Sequence, residues 1–128
     1  MPIYHEVVDN KYIILRAEGQ ITGTEILEAN ALLYSEPEYI NVACFQLWDL
    51  TALTNLKMSG QDHMEAAKQD KDALSSYPHI AVAIAGTADQ VYGISMLYAG
   101  YAPDGVITMA FRNRALAETW ILEQIKQS

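Results

Sequence analysis

The sequence is poor in residues that staple or anchor a chain. A single cysteine, Cys44, excludes an intrachain disulfide and cannot by itself make a thiolate zinc site. Basic residues are few: 8 against 16 acids, for a net charge of −8. That balance repels phosphate backbones and anionic membrane surfaces, so no nucleic acid is expected as partner. No apolar run reaches the roughly 18 residues of a membrane helix, so no membrane insertion is expected. The opening MPIYHEVVDN lacks a basic n-region and an apolar h-region, and the expected location is cytoplasmic.

Catalytic signatures are missing too. There is no GxxxxGK[ST] phosphate loop, no GxGxxG fingerprint and no GxSxG elbow. The three histidines are His5, His63 and His79, and none stands four residues from another. A helical metal pair is therefore excluded. His63 falls in a first helical turn, but nothing near it in sequence resembles an activated nucleophile. The expectation is a protein that is not an enzyme and uses no cofactor.

What is present is a globular pattern. Hydrophobic residues make up 51% of the 128 positions, and mean hydropathy is near zero. A chain of this length buries a core without staples, and positions 1–128 read as one domain. The acidity is uneven: residues 1–41 hold seven acids and two bases, the remainder nine and six. The excess surrounds the first helix, as a solubilising face would.

Two short strands, 3–8 and 12–17, flank Asp9-Asn10-Lys11 and form a hairpin. Thr22 and Glu25 have capping-box spacing and open a helix that Ser35-Glu36-Pro37 ends. The run 42–48, broken only by Gln46, reads as a buried strand, ended by Asp49 and followed by a loop over 50–60. Ser59 and Asp62 open a polar helix to about residue 76, with a thin stripe of Met64, Ala67 and Leu74. Residues 79–85 form another buried strand. Thr87 and Gln90 suggest a third capping box, before a helix carrying Val91, Ile94, Leu97, Tyr98 and Tyr101. A last strand, 106–111, precedes a helix capped by Asn113, with Ala117, Trp120, Ile121 and Ile125 facing the sheet. The order ββαβαβαβα predicts an α/β fold: a mostly parallel central sheet, one antiparallel edge strand and helices packed on it.

Several positions stand out. Asp49 is an acid at the expected carboxyl end of a buried strand, where ligands gather in open α/β sheets, and Thr51 follows it in the loop. Ser59 and Gly60 form a helix N-terminus, with free amides and partial positive charge. Tyrosine is over-used, at eight against two Phe and two Trp. Tyr92, Met96 and Met58 can line an aromatic and thioether-rich pocket for an apolar or amphipathic small molecule. Cys44 reads as a small buried hydrophobe.

The segments AEGQITGTEIL, LWDLTAL, HIAVAIAGTADQVYGISMLY and FRNRALAETWIL, in this order, resemble the STAS domain of anti-sigma-factor antagonists. More closely, they are similar to the SpoIIAA-like group of small bacterial proteins. That resemblance implies the same α/β order, and a likeness to lipid-binding CRAL-TRIO domains. In the antagonists a strand ending Asp-Leu precedes an Asp-Ser-Ser-Gly segment whose first serine is phosphorylated. Asp49-Leu50 matches the first part, whereas the second reads Lys57-Met58-Ser59-Gly60. Methionine accepts no phosphoryl group, so the switch is expected to be lost.

Two readings follow. One is a regulatory binding module that engages a protein partner through the loop 50–60 and the next helix. The other is a carrier or sensor of a small apolar ligand, held between the sheet and the helices at 59–76 and 87–102. A homodimer through an exposed edge is compatible with either.

Overall fold

The computed structural model describes residues 3–128. The elements are β1 (Tyr4–Val8), β2 (Tyr12–Thr22), α1 (Gly23–Ser35), a 3-10 turn (Pro37–Tyr39), β3 (Phe45–Lys57), α2 (Gly60–Ala73), β4 (Ile80–Ala85), α3 (Asp89–Gly100), β5 (Val106–Phe111) and α4 (Arg114–Gln127). This is the α/β class expected, with a five-stranded mixed sheet and four helices.

The hairpin β1–β2 closes through Asp9 and Asn10, both left-handed at φ 52° and 54°. That backbone is a type I′ turn, which matches strand twist and tolerates Asp and Asn. The strands lie in sequence order, β1-β2-β3-β4-β5, with β1–β2 antiparallel and the remaining pairs parallel. Crossovers between parallel neighbours are right-handed, so a sequential order stacks their helices on one face. Accordingly α1, α2 and α3 cover one side, over a core that includes Ile13, Leu15, Leu33, Trp48, Val82 and Val91. The other side holds α4, whose Ala117 and Ile121 pack on Leu47, Ala81, Ala83 and Ala85. The three alanines leave room for the helix, and Ile121, fully buried, contributes about 2–3 kcal/mol.

A sequential order has no reversal of strand sequence, hence no switch-point crevice at the carboxyl edge. The reasoning that placed a site at Asp49 on that ground loses its premise here. The expected loop over 50–60 is also corrected. β3 continues to Lys57, and β2 continues to Thr22, because their extensions pair with each other from Glu18↔Ala52 to Thr22↔Lys57. Register shifts at Arg16/Glu18 and Gly19/Gln20 accommodate the added length. Residues 42–44 are a turn instead of strand, and Cys44 there is half-buried, with burial raising its thiol pKa.

The capping boxes at Thr22/Glu25 and Ser59/Asp62 form as expected, and Asn113 caps α4. The third does not. α3 starts after Ala88 with no side-chain cap, while Gln90 bonds both the N–H and the carbonyl of Leu56, at 2.9 and 2.8 Å. Thr87 donates to the Arg112 carbonyl instead. Gln90 thus ties α3 to the end of β3, a stronger use than a frayed first turn. In α2 the stripe is shifted as well: the buried residues are His63, Ala66 and Asp70, and Met64 is 57% exposed.

Candidate functional site

Alternate side chains of β3 and β4 point up beneath the helices, and at Trp48, Leu50, Val82 and Ile84 they form an apolar floor. Ile26 of α1, Leu56 and Met58 at the end of β3, and Ile94, Ser95 and Tyr98 of α3 complete the walls. They line a partly open cavity of about 20 Å³. Ser95 lines it, but its hydroxyl donates back to the Val91 carbonyl at 2.8 Å, so the wall it offers is largely backbone-satisfied.

Behind this cleft lies a buried polar network centred on Asp70 of α2. Tyr34 donates to Asp70 Oδ1 at 2.7 Å, Tyr98 to Oδ2 at 2.8 Å, and Asn30 Nδ2 to Oδ1 at 3.2 Å. Burial holds the Asp70 pKa above its ordinary value, and these three donors offset only part of that rise. The tyrosines respond to these bonds in the opposite sense: burial and the adjacent carboxylate push both phenols far above their ordinary range. Gln46 continues the chain, donating to Tyr34 Oη at 2.8 Å and accepting from Trp48 Nε1 at 3.0 Å. Trp48 and Tyr98, on two sides of the cleft, therefore hang from one carboxylate. Gln69 reinforces the joint, accepting from Asn30 at 2.9 Å and donating to the Leu27 carbonyl at 3.0 Å.

His63 stands on the same face of α2. It is fully buried, its ring stacked on Tyr101 at 5.2 Å and 7° and tilted against Tyr98 at 6.0 Å. Neither ring nitrogen has a partner among the described residues. Burial lowers its pKa, against a smaller upward pull from Asp62.

The residues singled out in the sequence do not converge. Asp49 is mid-strand and points toward α4. It accepts from Thr51 N–H at 3.1 Å and Thr51 Oγ1 at 2.6 Å, and meets Arg114 Nη1 at 3.3 Å. Met58 packs on the core and lines the cleft. Ser59 caps α2, accepting from Asp62 N–H, and the space beside Gly60 opens toward the Tyr101 hydroxyl. Tyr92 lies under the Arg112 guanidinium at 4.2 Å, and Met96 is 54% exposed. Of these seven, Met58 alone borders the cavity. The network residues Asn30, Tyr34, Gln46 and Asp70 were not legible as a site. Their signals were faint: Gln46 interrupting an apolar run, and Asp70 seven residues from His63 on one helical face.

Among the described residues, no group of three or more His, Cys, Asp or Glu is placed to hold a metal ion. No helix there is long and apolar enough to cross a membrane. Compared with protein-family models, with curated proteins and with solved structures, the chain matches none.

Proposed function

We propose that the chain is a non-enzymatic binding module of the SpoIIAA-like, STAS-related kind, and that it takes a small apolar or amphipathic molecule in the cleft between the sheet, α1 and α3. The observation that carries this reading is the cleft wall: eight of its ten lining residues are apolar. The element order and the single antiparallel edge support the STAS-related part. At about 20 Å³ the partly open cavity accommodates one water-sized body. Ligand sites run to roughly 300–1,000 Å³, so entry requires Met58 and Ile94 to swing aside. Both are partly buried, and methionine's unbranched side chain adapts readily. Met58 occupies the position of the antagonists' phosphoacceptor and faces the core, and the Ser59 hydroxyl serves the α2 cap. The module therefore works without a phosphorylation switch.

The test is native mass spectrometry of the purified chain, followed by thermal shift with medium-chain carboxylates, alcohols and small aromatics. A ligand at a hundred times its dissociation constant adds about 2.7 kcal/mol, or about 10 °C for a chain of this length. No retained mass and no shift with any of these compounds would sink the proposal. A protein partner is the second reading, favoured by Met64, Met96 and Leu97, exposed on α2 and α3. Lysine at Met64 and Leu97 separates the two: partner binding is lost, and a ligand-induced shift persists.

A further inference from the structure

The sheet has two edges, and they are not alike. β1 carries Glu6 at its centre, which a second copy paired about that centre would meet as a like charge. β5, VITMAF, has no charged residue. Its ladder to β4 fixes which backbone groups are free. Ile80 N–H bonds the Gly105 carbonyl, and Gly86 N–H bonds the Phe111 carbonyl. In a parallel ladder of that phase, the odd residues 105–111 turn their polar groups to β4, and Val106, Thr108 and Ala110 turn theirs outward. The Val106 N–H is taken by the Pro103 carbonyl at 3.1 Å, which leaves the Thr108 and Ala110 N–H groups and the Val106, Thr108 and Ala110 carbonyls.

We propose that a second copy of this chain pairs antiparallel along β5, on a two-fold axis through Thr108. The free groups lie on even residues, so the paired numbers must add to an even total, and the axis at Thr108 makes that total 216. Thr108 then exchanges two hydrogen bonds with Thr108 of the second copy, and each Ala110 N–H reaches the Val106 carbonyl across the axis. The same register sets Ile107 opposite Met109 of the second copy, in the close pairing that lacks hydrogen bonds. Those two side chains are 53% and 44% exposed, left uncovered by α4, which lies mainly over β3 and β4. It also brings Asp104, in the turn that leads into β5, to the same end of the seam as Arg112 of the second copy, which follows the strand. Arg112 uses Nη1 on Asp89 and on the Thr87 carbonyl, and its other donors have no partner among the described residues. Acid at one end of the strand and base at the other make β5 complementary to itself only when antiparallel. An isologous contact of this kind closes as a dimer, with no filament.

The experiment uses the full chain. Light scattering at raised concentration is expected to give twice the chain mass of 14.2 kDa. Thr108→Pro removes two hydrogen bonds at the axis without touching the ladder to β4, and raises the dissociation constant about thirtyfold or more. Met109→Lys, at an exposed position, does the same through charge and leaves the fold intact by circular dichroism. Register is read by cysteine pairing in a Cys44→Ser background. Mild oxidation of an Ile107→Cys chain mixed with a Met109→Cys chain yields the mixed disulfide, and neither chain alone links to itself. A wild-type chain that stays at 14.2 kDa, a dimer unmoved by either Thr108→Pro or Met109→Lys, or self-linking of each cysteine variant overturns the proposal.

Discussion

Replacing His63 with phenylalanine should stabilise this protein. The imidazole is buried, and neither nitrogen finds a partner among the described residues. A buried polar atom left unmade costs about 1–3 kcal/mol. Phenylalanine removes both atoms and keeps the ring stack on Tyr101. Its wider ring returns about 1 kcal/mol in crowding. The net gain at neutral pH is about 1–5 kcal/mol, or about 4–18 °C in Tm. A pH signature accompanies it. Burial lowers the His63 pKa below its ordinary 6.5. Between the folded pKa and 6.5, the unfolded chain binds a proton that the native ring refuses. Wild-type stability therefore falls as pH drops through that window, by at most about 1.4 kcal/mol per unit, and levels off below it. The variant lacks this slope. Titration of Asp70 is common to both proteins and cancels in the difference. Urea unfolding followed by circular dichroism, from about pH 5 to about pH 8, measures it. The gap between variant and wild type should widen below pH 6.5 and hold constant above. A variant less stable than wild type, or a gap that ignores pH, refutes the picture of a neutral, unpartnered ring.

Asp70→Ala strips the acceptor from Tyr34, Tyr98 and Asn30 and should cost about 3–5 kcal/mol in urea unfolding, while Asp70→Asn, which keeps the shape and one acceptor oxygen, costs clearly less. Gly23→Ala should destabilise by about 1–2 kcal/mol, against the usual sign for a helical glycine, because its Cβ meets the Asp62 carboxylate that caps α2. Gly93→Ala and Gly100→Ala, whose Cβ atoms meet open space, should instead raise stability by about 0.5–1 kcal/mol each in the same assay.

Much of the fold was legible because local chemistry and tertiary demand agree. Thr22, Ser59 and Asn113 each sit before a periodic stretch, and each caps a helix. The all-apolar run of β4 could only be a covered strand. Legibility failed where partners far apart in sequence decide. Thr51, Thr54 and Asn55 resemble loop residues, and they are strand because β2 extends alongside them. The buried stripe of α2 is His63, Ala66 and Asp70, one position off the apolar stripe expected, since its partners are Asn30, Tyr34 and Tyr98 on other helices. A carboxylate that gathers two tyrosines from positions 34 and 98 leaves only a faint local trace, its seven-residue spacing from His63. Asp49 misled for the opposite reason: its local context was suggestive, but its bonds go to Thr51 and Arg114.

The central claim, an apolar ligand in the cleft above β3 and β4, is tested most directly by its own tryptophan. Trp48 lines the cleft, and the other tryptophan, Trp120, lies on α4 beside Phe111. With Trp120→Phe as background, titration with a medium-chain carboxylate or alcohol should change Trp48 emission saturably, and Ile94→Phe, which fills the cleft, should abolish the change. Emission that stays flat throughout, or a saturable change that Ile94→Phe leaves untouched, would contradict it.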